Sequence, residues 1–136
     1  MNPAIDLTEQ ELLAVDAGVR RTIAAYARSV DGRDMEACAR LFTDDARIRV
    51  MGEEHVGAAQ VRAWLEMLAK SPPGIHLTTN TLVHPRGGSE AEAVSDVAFI
   101  KQTDGAWRIV VAGRYADRLR READGWRFVE RVISLS

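Results

Sequence analysis

Apolar positions at spacings of three and four open the chain. Leu12, Val15, Val19, Ile23, Tyr26 or Ala27, and Val30 fall on one stripe, which predicts an amphipathic α-helix. Thr8 with Glu11 three residues later reads as a capping box at its start. Gly32, just past Asp31, reads as its stop. A short second helix is predicted from Asp34, as N-cap, to Phe42, where Thr43-Asp44-Asp45 breaks the pattern. From Ala46 to Met51 the period falls to two. Ile48 and Val50 alternate with Arg47 and Arg49, the signature of a half-exposed strand. Gly52–Glu54 reads as a turn, and a third helix follows Gly57 with Val61, Trp64, Leu65 and Leu68 on its apolar face. Ser71-Pro72-Pro73-Gly74 ends that helix.

The rest of the chain alternates. Strands are predicted over Ile75–His84, Ala91–Gln102, Trp107–Arg118 and Trp126–Leu135. The turns between them lie at Arg86–Ser89, Asp104-Gly105 and Asp124-Gly125. Helices first and a four-strand antiparallel meander last make an α+β fold. The late strands are apolar on both faces. Trp107, Ile109 and Val111 oppose Val110 and Ala112, and Trp126 and Phe128 oppose Val129 and Ile133. The helices suffice to cover one face, so the second predicts a homodimer.

Composition narrows the function. The 136 residues suit a single domain, 1–136, with 18 Lys+Arg against 20 Asp+Glu and a formal charge of −2. That balance gives no basic face for nucleic acid. No apolar stretch is long enough to span a membrane. Met1–Glu11 carries acids and no basic n-region, so no secretory signal is visible, and with a single cysteine the expected setting is a reducing cytoplasm. Cys38 is the sole cysteine, so an internal disulfide or a cysteine-based zinc cluster is excluded. It reads as a small buried hydrophobe. There is no glycine-rich phosphate loop and no pair of histidines at metal-ligand spacing.

Polar residues on apolar patterns are the candidates for chemistry. Tyr26 sits on the buried stripe of the first helix, and Asp31 at its C-terminal end. The helix dipole disfavours a carboxylate there unless a cation offsets it, and a histidine is the natural partner. Of the three histidines, His55 lies beside Glu53 and Glu54 in a predicted turn and reads as surface, and His84 lies near a turn. His76 opens a strand face with Thr78 and Asn80, a polar lining. Asp96, Tyr115, Asp117, Arg127 and Arg131 interrupt later strands, where solvated or cross-strand paired roles are the commoner outcome.

Several segments together resemble the SnoaL-like branch of the nuclear transport factor 2-like superfamily. They are Tyr26–Asp34 (YARSVDGRD), Leu41–Ala46 (LFTDDA), Gly57, His76–Asn80 (HLTTN), Gly113–Asp117 (GRYAD) and Arg121–Phe128. The resemblance implies a cone-shaped α+β barrel, in which a curved antiparallel sheet wraps a pocket roofed by three N-terminal helices. It also implies a dimer through the outer sheet face. Dehydratases and a dehydrochlorinase of this family use an Asp–His dyad, and Asp31 and His76 occupy those positions. Tyr26 stands where one dehydratase places a tyrosine, whereas Val50 stands where ketosteroid isomerase has its base. By the same resemblance Arg131, with Arg114 as the alternative, and Asp96 are expected to bind substrate, and Asn80 on the polar strand face and Trp64 on the third helix are further candidates to bind it. The implied activity is a cofactor-independent lyase of the dehydratase type, with neither metal nor organic cofactor, acting on a small apolar cyclic substrate. The alternatives are a non-catalytic ligand-binding or assembly domain, and an isomerase or cyclase using the same residues.

Overall fold

Thr8 caps α1 (Glu9–Asp31), its hydroxyl accepting the Glu11 N–H at 3.1 Å. The structure, a computed structural model, describes residues 6–136, so Met1–Ile5, part of the stretch read as lacking a leader, lies outside the described residues. Val15, Val19, Ile23, Tyr26 and Val30 form the buried stripe of α1. Gly32 stays right-handed at φ −79°, and the left-handed turn falls on Arg33 at φ 60°. Asp34 caps α2 (Met35–Ala39), accepting the Ala37 N–H at 3.0 Å.

The second helix is shorter than its pattern predicts because Phe42 belongs to a strand. In β1 (Phe42–Val50), Phe42 is buried edge-on to Tyr26, and the neighbouring Leu41 carbonyl accepts the Phe128 N–H at 2.7 Å. Tertiary pairing thus overrides the local break signal at Thr43-Asp44-Asp45, which the strand absorbs as an irregular register. Met51 and Gly52, both at positive φ (52° and 78°), make the tight turn into β2 (Glu53–Val56), an edge strand where the sequence predicts only a turn. α3 (Ala58–Leu68) follows, burying Val61, Trp64 and Leu65.

The meander is formed by β3 (Ile75–Pro85), β4 (Glu90–Thr103), β5 (Ala106–Glu122) and β6 (Gly125–Leu135). The six strands lie in the order β2-β1-β6-β5-β4-β3. The sheet is curved and open, with β2 and β3 at its edges. It is not wholly antiparallel, because β1 runs parallel to β6.

Bulges correct the simple alternation in the meander. Val110 is an extra residue opposite the Phe99–Ile100 step, so Val110 and Val111 both reach the concave side. Val129 is extra opposite Arg118–Leu119, which puts Ile133 on the same buried side as Trp126 and Phe128 rather than opposite them. A third bulge lies between Thr79 and Leu82, where Asn80 takes φ 53°. Each extra residue bends its strand and increases the local twist. Curvature and the site's lining therefore share a cause. α1 packs on the concave face, and Ile75, Leu77, Val94 and Ile109 stay exposed on the convex one. No helix among the described residues is long and apolar enough to cross a membrane.

Candidate active site

Asp31 ends α1 and His76 is the second residue of β3. The proline break at Pro72-Pro73 turns the chain after α3, so that β3 starts beside the end of α1. His76 Nδ1 lies 2.6 Å from Asp31 Oδ1, and the His76 backbone N–H donates to Asp31 Oδ2 at 2.9 Å. Two donors from one residue thus offset the unfavourable dipole end of α1. An ionised carboxylate only accepts hydrogen bonds, so Nδ1 is the donor in this contact, and in the neutral ring the lone pair is then on Nε2. The Phe99 ring packs on the imidazole at 4.8 Å between centroids and fixes its plane.

His76 lines a cavity of about 560 Å³ between the helices and the concave sheet face. Trp64, Met67 and Leu68 of α3 line it from one side, and Val97, Phe99, Val111 and Ile133 from the sheet. Tyr26 and Tyr115 supply its buried phenols. Burial pushes the Tyr26 hydroxyl well above the ordinary phenol range, with Tyr115 nearby adding to the effect, so Tyr26 stays a neutral O–H donor. Burial raises Tyr115 as well. Tyr115 does not stand out in the sequence as a site residue. Its signal is positional, since it lies opposite Ile133 in the β5–β6 register and points inward with it.

The residues expected to bind substrate separate. Trp64 lines the cavity and is buried. Arg131 is fully buried but lies behind the tyrosines, outside the cavity lining. Its Nε and Nη2 donate to Asp117 at 2.8 and 2.9 Å, making the directly opposed cross-strand pair of the β5–β6 register. Its guanidinium carbon lies 3.7 Å from the Tyr115 ring centre and 4.3 Å from those of Tyr26 and Phe128. Burial pushes the Asp117 carboxyl upward, and Arg131 opposes that shift. Asn80 and Asp96 meet each other instead of the cavity. Asn80 Nδ2 donates to Asp96 Oδ2 at 2.8 Å, and Arg114 Nε donates to Asp96 Oδ1 at 3.2 Å. The bulge at Asn80 turns its side chain out of the His76–Thr78 alternation, and Asp96 points away from its inward neighbours Val97 and Ser95. The Asn80 hydrogen bond, then Arg114, holds the Asp96 carboxyl below its usual range.

The SnoaL-like domain family matches residues 11–132, nearly the whole chain and both members of the Asp31–His76 pair. The chain belongs to the SnoaL-like family. A comparison with curated proteins finds no match. Among solved structures, a protein of unknown function from Mycobacterium tuberculosis superposes with a TM-score of 0.86 at 25% identity, over 93% of this chain and 75% of that one. A nuclear transport factor 2-like protein with a cystatin-like fold from Novosphingobium aromaticivorans gives 0.81 at 24% identity, over 93% and 84%. A protein assigned as a scytalone dehydratase from the same organism gives 0.84 at 20% identity, over 95% and 89%. The last two likenesses carry the fold.

Two other residues of the SnoaL-like domain gain a definite place. His55, read from sequence as surface, is half-buried. It pairs opposite Ile48 in the β1–β2 register, and its ring lies 6.0 Å from Trp64. Cys38 is fully buried in α2, in keeping with its reading as a small buried hydrophobe.

Proposed function

We propose that this SnoaL-like protein is a cofactor-independent lyase of the dehydratase type, with His76 as base, Asp31 as its orienting partner and Tyr26 as hydrogen-bond donor. The observation that carries the reading is the two-point clasp of His76 by Asp31 at the wall of a mostly apolar cavity. His76 Nε2 takes a proton from an acidified C–H of a small cyclic substrate. The C–H electron pair becomes the new double bond as the neighbouring C–O bond breaks. Tyr26 donates to the oxygen on which charge develops. The proton held by His76 passes to the departing oxygen, so one water leaves and the protein is unchanged over the cycle. The protein works as a homodimer through the convex sheet face, where Ile75, Leu77 and Ile109 are exposed.

Dehydration of a panel of β-hydroxylated alicyclic and aromatic ketones, followed by mass spectrometry, tests the reading. His76→Ala is expected to lower turnover of an accepted substrate by roughly 10² to 10⁴-fold, with Asp31→Asn also strongly impaired. A His76→Ala variant with wild-type turnover overturns it.

A further inference from the structure

The cavity wall carries a cation that the dyad chemistry does not use. Lys101 of β4 lines the cavity and, apart from His76, is the one basic side chain among the lining residues. It is partly buried and makes no ion pair among the described residues. Arg108 of β5 stands directly opposite Lys101 in the register, on the same sheet face, and is also without an ion pair among the described residues. Like charges directly opposed on a sheet are destabilising. Glu53 is the one acid among the cavity-lining residues; its side chain is largely exposed, and no ion pair joins it to Lys101 or Arg108 among the described residues. Lys101 thus presents a cation without an ion-pair partner among the described residues to a mostly apolar cavity, and Arg108, exposed and outside the cavity lining, stands beside it on the sheet. Lys101 is two residues beyond Phe99, the ring that packs on His76, or roughly 7 Å along the strand. That is about the width of one ring.

We propose that the cavity takes a ring compound bearing one anionic group, a carboxylate or sulfonate, with the anion seated against Lys101 and Arg108 and the ring in the apolar interior beside His76. The inference rests on the lyase reading only for the use of the cavity as a substrate site. It adds a substrate class to it. The anion relieves the Lys101–Arg108 repulsion, and its fixed distance from His76 selects which ring carbon faces Nε2. Lys101 is then a specificity-determining residue rather than an acid or base.

Two fluorescent probes that share an aromatic skeleton and differ in charge test this. They are anilinonaphthalene sulfonate and the neutral N-phenylnaphthylamine, titrated against the full chain. Wild-type protein is expected to bind both, each shifting the His76 imidazole resonances in NMR spectra. Lys101→Met keeps an unbranched apolar stem. It is expected to weaken the sulfonate about tenfold while leaving the neutral probe unchanged, and Lys101→Arg to restore sulfonate binding. Raising the ionic strength to about 1 M, where the Debye length is about 3 Å, removes the wild-type preference and not the variant's weaker baseline. Sulfonate affinity unchanged in Lys101→Met overturns the proposal, as does equal weakening of both probes, which marks lost packing. Probes that bind without moving the His76 resonances sit on the convex face and overturn it too. If neither probe binds, the proposal falls, while the lyase reading stands or falls on the turnover of His76→Ala. If the charge effect holds while His76→Ala keeps full turnover, the lyase reading falls alone.

Discussion

Arg131 and Asp117, both without exposed surface, face each other across β5 and β6 in a two-point ion pair at 2.8 and 2.9 Å. Removing one member leaves the other as an uncompensated buried charge, which typically costs about 3–5 kcal/mol. Asp117→Asn is therefore expected to shift the urea unfolding midpoint strongly downward at neutral pH. The double variant Arg131→Met, Asp117→Leu replaces the pair with apolar groups and is expected to be markedly more stable than Asp117→Asn alone. A double variant no more stable than the single one contradicts this account. Because the guanidinium supports the rings of Tyr26 and Tyr115, Asp117→Asn should also disturb the cavity's tyrosine signals in near-ultraviolet circular dichroism.

The sequence made this pair partly visible. Alternation placed Asp117 and Arg131 on strands, where solvated and cross-strand paired roles were both open, and the resemblance assigned Arg131 to the substrate instead. What it could not show was depth, since burial depends on α1 lying over that part of the sheet. The dyad was more legible. Asp31 at a helix C-terminus needs a counterpart, and His76 follows a proline break that forces a new direction. Asn80 was placed on the wrong face for a local reason, the bulge that puts it at φ 53°, whereas Asp96, on a regular stretch of β4, came from the resemblance alone and points to the convex face with Asn80 and Arg114. A bulge adds one residue to a period of two, so every inference of facing beyond it inverts. The same arithmetic hid Ile133, and the parallel β1–β6 pairing joins strands far apart in sequence that no local pattern connects, while the meander itself, marked by turn signals, was read correctly to within a few residues.

Gly18 shows how tightly α1 sits on the sheet. A Cβ built there would stand 2.5 Å from Trp126 Cδ1. Alanine is normally the better helix former by about 1 kcal/mol. Here the indole must move, and overpacking of this kind costs about 1–3 kcal/mol. Gly18→Ala is thus expected to lower the thermal midpoint despite its favourable propensity. A raised midpoint would show that Trp126 yields without strain.

Cys38 should be inert in the native protein. It has no exposed surface, and burial pushes its thiol up to about 11. The nucleophile is the thiolate, which at pH 8 is then a very small fraction. Reaction with an aromatic disulfide reagent at pH 8 is expected to be slow and to follow unfolding, with stoichiometric labelling once denaturant is added. Complete labelling of the folded protein within seconds would place Cys38 at the surface instead.

The convex sheet face sets the oligomeric prediction. Its rows run Ile75–Ile100–Ile109 and Leu77–Ala98–Ala112, and the Asp96–Arg114 pair lies beside them. Ile109 is 68% exposed and Trp107 58%, unusual values for a large apolar side chain in a strand. Small alanines at the centre with larger side chains around them allow two sheets to approach face to face, which occurs at about 10 Å. A standard interface takes about 800 Å² from each partner. Light scattering is therefore expected to give twice the 15.0 kDa of one chain at micromolar concentration. Ala112→Arg places a charge at the centre of the contact and is expected to give monomers that keep the native far-ultraviolet spectrum. A wild-type mass of one chain, or an Ala112→Arg variant that stays dimeric, rules out pairing through this face.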